Sequence, residues 1–169
     1  MSNYKLRECI PEKNPNDMEQ LLSAYLTIWN APENIKFLSL TGKPFTEPQV
    51  REWFSKHLSS VVKYLIAEEA STDKIFGILV MSLSNLNGVN IGGVGVLPEY
   101  KGKGIGKKLI QESIAVAQKE GFKAIGTQVY ANNFRMLKLL LSLEFMPVRM
   151  EHNMGFDGTD FVHFKKYLQ

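Results

Sequence analysis

The sequence has 169 residues, of which 44% are hydrophobic and 22% are charged, so a core can form and wholesale disorder is excluded. The formal net charge of +3 at pH 7 is too small to favour nucleic-acid binding through bulk charge. Cys9 is the only cysteine, which excludes an intrachain disulfide framework and a cysteine-rich metal site and fits a reducing compartment. We expect one domain over residues 1–169.

The hydrophobic segments are short. The N-terminal residues contain no apolar run of signal-peptide length. No stretch approaches the roughly 20 apolar residues that are needed to span a bilayer. The sequence therefore predicts a soluble cytoplasmic protein without a membrane partner.

The first part of the chain predicts one strand and two helices. Residues 4–10 form the strand, and apolar residues then recur on one helical face from residue 18 to Trp29. Asn30-Ala31-Pro32 stops this helix, and a loop is expected to follow. A second helix begins at residues 46–48, because Pro48 lies just inside its start.

From residue 61 the hydrophobic pattern becomes that of strands. Residues 61–67 and 75–83 are apolar and flank a polar turn, which predicts a hairpin. A third strand over residues 89–97 contains three glycines. Glycine inside a strand predicts a bulge, or a place where another group approaches the backbone closely.

The last part of the chain mixes helices and strands. We expect a helix at 104–120, a strand at 124–130, a short helix after Asn132-Asn133, and closing strands at 146–153 and 161–167. Hairpins need antiparallel neighbours, whereas a strand–helix–strand unit needs a parallel one. The sequence therefore predicts an α/β (α+β mixed) fold, with a mixed sheet of about seven strands and about four helices.

Residues 93–108 have the composition of a phosphate-binding site. A glycine-containing strand leads to three alternating glycines, at 102, 104 and 106, which open directly into an amphipathic helix. A bare helix N-terminus exposes unpaired N–H groups and the positive end of the helix dipole, and both favour phosphate. Positive charge is added by Lys101, Lys103, Lys107 and Lys108. The segment therefore predicts a phosphorylated ligand.

Other interpretations of this segment fit less well. A P-loop needs Gly, four residues and Gly-Lys before Ser or Thr, but Lys101 stands at the first glycine and Lys108 follows Gly106-Lys107. A dinucleotide fingerprint needs Gly-x-Gly-x-x-Gly, and its last position here is Leu109 or Lys107. Nucleic-acid binding is disfavoured because the lysines lie on one turn rather than along a face.

The segment instead resembles motif A of the GNAT family of N-acetyltransferases, in which Arg or Gln, two residues, Gly, one residue, and Gly or Ala follow a Val-rich strand end. Lys101-Gly102-Lys103-Gly104-Ile105-Gly106 fills this pattern, with Lys at the first position. Asn133 precedes Glu144-Phe145 at the spacing of the family's Asn-to-Gly-Phe segment. The resemblance implies the GNAT fold, in which a mostly antiparallel sheet is splayed in the middle.

The resemblance also implies a cofactor and its ligands. Acetyl-CoA, as the acetyl donor, would lie in the gap between the strands at 89–97 and 124–130, and no metal would be needed. The main chain of Val94 and Val96 would bind its pantetheine arm like an added strand. The residues implied in cofactor binding are Val94, Gly95, Val96, Lys101, Gly102, Lys103, Gly104, Ile105, Gly106, Lys107 and Asn133.

The family's mechanism implies further roles. A primary amine attacks the thioester directly, through a tetrahedral intermediate and without an acyl-enzyme. The N–H of Val94 would face the thioester carbonyl and stabilise the developing oxyanion, and one such donor contributes roughly 3–4 kcal/mol. Asn133 would contact the pantetheine arm or hold the following helix in place.

Two positions depart from the family pattern. Leu140 stands where many relatives have a tyrosine that protonates the leaving thiolate, and Gln128 stands where some have a glutamate base. We consider Tyr130 as the acid, because it lies on the same face of its strand as Gln128, although a packing role is more usual. Glu68, Glu69, His57 and water remain alternatives for proton transfer. For the two glutamates and the histidine, the ordinary expectation is a solvated side chain.

The sequence thus predicts an N-acetyltransferase that transfers the acetyl group of acetyl-CoA to a primary amine. The alternative is a catalytically weak or inactive acyl-CoA-binding GNAT module, which Leu140 and Gln128 favour. The acceptor would be a small-molecule or peptide amine. In this fold its pocket comes from the first two helices, their loop and the last hairpin, which here offer Tyr25, Trp29, Phe37, Phe45 and Trp53, with Asp157 and Asp160 at the far turn. Exposed sheet edges make a homodimer reasonable.

Overall fold

The structure is a computed structural model that describes residues 4–10, 15–57, 61–84 and 88–169, without the side chains of residues 15, 16 and 57. Its elements in chain order are β1 (Tyr4–Cys9), α1 (Pro15–Trp29), α2 (Pro32–Leu38), α3 (Glu47–His57), β2 (Val62–Glu69), β3 (Ile75–Ser84), β4 (Gly88–Val96), a 3₁₀ turn (Pro98–Tyr100), α4 (Ile105–Lys119), β5 (Ala124–Tyr130), α5 (Phe134–Ser142), β6 (Met146–Glu151) and β7 (Phe161–Tyr167). The predicted strands and the four predicted helices are confirmed to within a few residues.

The strands of the described residues form one seven-stranded sheet in the order β1-β2-β3-β4-β5-β7-β6. The pair β4–β5 is parallel, and the other neighbouring pairs are antiparallel. The parallel pair follows from α4, which connects β4 to β5 as a crossover helix. The predicted mixed, mostly antiparallel sheet is therefore confirmed, and its parallel step lies in the middle.

Helices α1 and α4 cover opposite faces of the sheet, and two strand glycines let them approach. A Cβ atom at Gly95 of β4 would lie 2.5 Å from Ile28 of α1, whereas one at Gly77 of β3 would lie 3.1 Å from Ile105 of α4. Gly95 pairs with Ile78, the neighbour of Gly77, and successive positions of a strand point to opposite faces. Close approach to the backbone, one of the two roles predicted for glycine in β4, is therefore met at Gly95.

The structure contains a fifth helix that the sequence did not predict. Helix α2 begins at Pro32, which we expected only to stop α1 and lead into a loop. Proline suits the first helical position, because the N–H that it lacks would have no helical partner there. The helix has only seven residues, which is too short for a helical period to stand out in the sequence.

The expectation that Glu68 is solvated is wrong. Its side chain is fully buried on β2, where Oε1 accepts a hydrogen bond from Nε of Arg7 at 2.8 Å and lies 3.1 Å from Nζ of Lys5. Arg7 also pairs with Asp17 of α1 at 3.0 Å. A buried carboxylate is tolerated when charged donors surround it, so this cluster ties α1 to β1 and β2.

Candidate active site

The sheet opens into a cleft between β4 and β5. These strands pair only at Val89–Ile125, Asn90–Gly126 and Ile91–Thr127. At the last pair the hydroxyl of Thr127 donates a hydrogen bond to the carbonyl oxygen of Ile91 at 3.0 Å. On its other side β4 remains paired with β3 as far as Val96. Residues 92–96 therefore have one strand neighbour and one free edge.

A bulge in β4 lies where the two strands separate. Met81 of β3 pairs with Ile91, but the next residue, Val80, pairs with Gly93. Gly92 is therefore the extra residue of the bulge. A bulge was the other role predicted for glycine in this strand. Because a bulge bends its strand and increases the local twist, it helps β4 to diverge from β5.

The free edge of β4 presents the main chain of Val94 and Val96. The N–H of Leu97 donates to the carbonyl oxygen of Phe76 in β3 at 2.9 Å. Main-chain groups alternate in direction along a strand, so those of Val96 and Val94 face the opposite side. On that side the carbonyl oxygen of Val96 accepts a hydrogen bond from Nδ2 of Asn34 at 3.1 Å.

A cavity of about 620 Å³ occupies the cleft. Most of the predicted cofactor-binding residues line it, namely Val94, Val96, Lys101, Gly102, Gly104, Ile105, Gly106, Lys107 and Asn133. Gly95 and Lys103 are not among the lining residues. Gly95 faces α1, and the Nζ of Lys103 lies 4.8 Å over the ring of Tyr100. The structure thus brings the strand edge, the glycine turn and the start of α5 into one cavity.

Helix α4 begins at the cavity without a side-chain cap. Gly104 is the N-cap residue with a left-handed φ of 78°, and its own lack of a side chain leaves the helix end bare. The first helical hydrogen bond runs from the N–H of Lys108 to the carbonyl oxygen of Gly104 at 3.0 Å. The N–H groups of Ile105, Gly106 and Lys107 therefore have no partner among the described residues. Such a helix end binds anions.

The charges at this helix end are less uniform than the sequence indicated. Lys101 makes an ion pair with Glu33 of α2 at 2.8 Å, and this hydrogen bond holds the pKa of Glu33 below its usual value. Lys107 is exposed and lines the cavity, whereas Lys108 lies over the ring of Tyr4 at 5.3 Å. Of the four lysines, Lys101 and Lys107 are therefore those beside the bare N–H groups.

Tyr130, the proposed acid, lines the cavity but is also a packing residue. Its hydroxyl donates to the carbonyl oxygen of Ser39 at 3.3 Å, and its ring packs edge-on against Phe161 at 4.5 Å. Burial, with a smaller contribution from the charge of Asp157, raises the pKa of Tyr130. The phenol is therefore protonated at neutral pH, as a proton donor must be.

The positions that depart from the family pattern also lie in the cavity. Gln128 lines it from β5, and the buried side chain of Leu140 lines it from α5. Asn133 caps α5, because its Oδ1 accepts a hydrogen bond from the N–H of Met136 at 3.2 Å. Holding the helix, one of the two roles considered for Asn133, is therefore seen directly.

Of the remaining acid–base and acceptor candidates that the structure describes, Phe37 lines the cavity and the others do not. Glu68 does not line the cavity, and the side chain of His57 lies outside the described residues. Asp157 and Asp160 stabilise the turn between β6 and β7. The hydroxyl and then the main-chain N–H of Thr159 lower the pKa of Asp157, and the main-chain N–H of Asn153 lowers the pKa of Asp160. Neither aspartate lines the cavity.

Several cavity residues escaped the sequence reasoning. Four of them lie on α2: Glu33, Asn34, Lys36 and Leu38. Arg135 adds a cation from the first turn of α5. A basic residue two positions after the predicted cap Asn133 was a signal that could have found Arg135. Nothing in the sequence singled out these four residues, because α2 meets the glycine turn only in the folded chain.

The described residues contain no group of three or more His, Cys, Asp or Glu side chains that could hold a metal ion. No helix in these parts of the chain has both the length and the hydrophobicity to cross a membrane. Cys9 is buried, and burial raises the pKa of its thiol to about 12.

Comparison with known proteins places this cleft in a family. A family model described as "Acetyltransferase (GNAT) family" matches residues 18–145. The chain belongs to this family. The matched region of the GNAT chain includes both strands of the cleft, the glycine turn and helix α5. No curated protein matches the chain in sequence.

Solved structures share the GNAT fold over almost the whole chain. An N-acetyltransferase from Staphylococcus aureus Mu50 is 22% identical, with a TM-score of 0.78 over 99% of this chain and 100% of that one. A ribosomal-protein-S18-alanine N-acetyltransferase from Escherichia coli is 15% identical, with a TM-score of 0.73 over 98% and 94%. The yncA structure from Salmonella typhimurium, which contains its cofactor acetyl-CoA, is 17% identical, with a TM-score of 0.72 over 99% and 95%. At these identities the likeness shows the fold.

Proposed function

We propose that this GNAT chain is an N-acetyltransferase that transfers the acetyl group of acetyl-CoA to a primary amine. The observation that carries the proposal is a bare helix N-terminus at one end of a cleft that runs along the free edge of β4. A diphosphate fits the helix end, and a linear arm with amide groups fits the strand edge. Coenzyme A joins these two chemical features in one molecule.

The cleft residues support this fit. A Cβ atom at Gly102, Gly104 or Gly106 would meet nothing within 4 Å, so the helix end is open to a bulky anion. Lys101 and Lys107 supply positive charge beside it. We propose that the main chain of residues 102–107 holds the diphosphate and that Val94 and Val96 hold the pantetheine arm, with Asn133 supporting α5.

The proposed chemistry needs a single main-chain donor at the reacting carbonyl. The N–H of Val94 faces the cleft, where it stabilises the negative charge that develops on the thioester oxygen when the amine attacks. We propose direct attack through a tetrahedral intermediate, because no nucleophilic side chain of the chain needs to act first. The thioester supplies the activated acetyl group. The attacking nitrogen loses a proton to water in the open cleft, and the departing thiolate takes up a proton.

We propose Tyr130 as the donor of that proton, and Tyr130→Phe tests it. We expect kcat to fall about tenfold, while the dissociation constant of CoA is unchanged. This is less than the roughly 100-fold or more that is usual for a general acid, because water can also reach the thiolate. Tyr25→Phe is a matched control, because Tyr25 is also buried but does not line the cavity. An unchanged kcat in Tyr130→Phe would leave Tyr130 with a packing role alone.

Glu33 opposes anion binding, because its carboxylate lies at the mouth of the cleft and engages Lys101. We expect Glu33→Gln to tighten CoA binding about two- to fivefold at low ionic strength, with a smaller gain at high salt because salt screens exposed charges. Calorimetry at two salt concentrations measures this. Glu99→Gln is the control, since Glu99 is exposed outside the cavity. Weaker binding by Glu33→Gln would contradict the placement of the diphosphate.

The second candidate function is an acyl-CoA-binding module with little or no turnover. It is favoured by Leu140 and Gln128, which lie in the cavity and cannot exchange protons. Both candidates bind acetyl-CoA, so they differ in turnover alone.

A screen for thiol release across amine classes separates the two candidates. The purified chain is incubated with acetyl-CoA and polyamines, amino acids, aminoglycosides or peptides with a free N-terminus. We expect an amine-dependent release of free thiol with at least one class. Binding of acetyl-CoA without amine-dependent release from any class supports the binding module, and absence of binding contradicts both.

The partners and organisation complete the proposal. We propose a small-molecule or peptide amine as acceptor, and the name of the Escherichia coli neighbour, which specifies alanine of a ribosomal protein, supports testing peptides. We also propose one domain over residues 1–169 and a cytoplasmic location. A homodimer stays a prediction, and it is supported by edge strand β6, where Met146, Val148 and Met150 are about half exposed.

A further inference from the structure

A cavity residue outside motif A has the geometry of a ligand-binding group. Asn34 of α2 is buried and lines the cavity. Its Nδ2 donates hydrogen bonds to the carbonyl oxygens of Ile28 at 2.7 Å and Val96 at 3.1 Å. Carbonyl oxygens only accept, so the NH₂ group must face both of them and Oδ1 must face away. The orientation of the amide is therefore fixed by two main-chain partners.

The oxygen of this amide is an available acceptor. Oδ1 of Asn34 receives no hydrogen bond from any described residue. The fully buried side-chain atoms without a hydrogen-bond partner belong to other residues. Since Oδ1 of Asn34 also has no partner, it must be in contact with solvent. Because Asn34 lines the cavity, that solvent is the solvent of the cleft. A preoriented acceptor in a cleft binds an N–H or O–H donor of a ligand at little entropic cost.

The position of Asn34 along β4 indicates which part of the ligand it meets. Val96 lies two residues beyond Val94 in the direction of the glycine turn, a distance of about 7 Å along the strand. A ligand group beside Asn34 would therefore lie between the thioester at Val94 and the diphosphate at α4. In acetyl-CoA this intervening part is the pantetheine arm, and its two amides are N–H donors.

We infer that Asn34 binds the pantetheine arm by accepting a hydrogen bond from one of its amide N–H groups, an inference that rests on the proposed function. The family resemblance assigned the main chain of Val96 to the arm, but the carbonyl oxygen of Val96 already accepts a hydrogen bond from Asn34. The side-chain amide therefore acts as the acceptor at this level of the cleft. Helix α2, which has no part in motif A, thereby becomes part of the cofactor site.

Ligand truncation tests this role by calorimetry with CoA and with ADP, which shares the adenosine diphosphate but lacks the arm. We expect Asn34→Ala to bind CoA about three- to tenfold more weakly, as for one lost hydrogen bond, and to bind ADP as the wild type does. Asn30→Ala is the matched control. Asn30 also bonds main chain through its amide, to Phe45 at 2.9 and 2.8 Å, but does not line the cavity. It should bind both ligands normally.

The outcomes separate this inference from the proposed function. Equal weakening of CoA and ADP binding in Asn34→Ala would show a structural role and overturn the inference, as would unchanged CoA binding. A wild-type chain that binds neither ligand would overturn the proposed function and the inference together. If Asn34→Ala does not fold, wild-type protein is titrated with CoA analogues in which either pantetheine amide is an ester. One analogue should bind more weakly, and two that bind like CoA would overturn the inference.

Discussion

Gly106→Leu is expected to raise the dissociation constant of acetyl-CoA at least about 100-fold while the chain remains folded. A Cβ atom at this position meets nothing within 4 Å, so the helix accepts the side chain. Side chains tilt toward the helix N-terminus, so leucine would cover the bare N–H groups of α4. Loss of two hydrogen bonds to a charged ligand costs about 3–6 kcal/mol.

This substitution separates binding from stability. Gly106 does not have a positive φ, so replacing glycine within the helix should raise the free energy of unfolding by about 0.5–1 kcal/mol. Calorimetry measures the affinity, and thermal unfolding measures the stability. Ala115→Leu, at an exposed position of the same helix, should leave CoA affinity unchanged. If Gly106→Leu binds acetyl-CoA with wild-type affinity, the proposed placement of the diphosphate at this helix end is wrong.

Val94→Pro is expected to lower kcat roughly 100- to 1000-fold, because proline lacks the N–H that stabilises the oxyanion. The amide of Val94 faces the cleft rather than β3, so the hydrogen-bond ladder between β3 and β4 should survive. Steady-state kinetics at saturating acetyl-CoA measure the effect, and circular dichroism checks the fold.

Val96→Pro is the matched control for this effect. The main-chain groups of Val96 face the same free edge as those of Val94, but Val96 lies two residues farther from the reacting carbonyl. We expect this variant to lose CoA affinity with a much smaller change in kcat. Equal losses of kcat in the two variants would mean that the N–H of Val94 has no special part in the reaction.

The sequence predicted the features that depend on local pattern. Apolar segments beside polar turns marked the strands of the hairpin, and the glycines at 102, 104 and 106 marked the bare end of α4, because both depend on the nearest neighbours in the chain. The strand glycines indicated both the bulge at Gly92 and the close approach at Gly95. The family resemblance added the splay of β4 from β5, which local pattern does not encode.

Features that depend on distant partners were not predicted. Glu68 looked solvated because its partners Arg7 and Lys5 lie about sixty positions earlier, and only the pairing of β1 with β2 brings them together. Lys101 was assigned wholly to the ligand, since its pairing with Glu33 exists only after α2 packs beside the glycine turn. Long-range contacts of this kind leave no periodic signal in a single sequence.

The three residue pairs that join β4 to β5 make a narrow seam between two blocks of sheet, one of four strands and one of three. Helix α4 packs across this seam, on β3, β4 and β5. A molecule bound in the gap should hold the two blocks together, because it contacts both of them and replaces the backbone hydrogen-bond partners that are lost where β4 and β5 diverge. Occupancy of the gap should therefore slow amide hydrogen exchange at Val94, on the side of the seam opposite Tyr130, as well as around the ligand's phosphates.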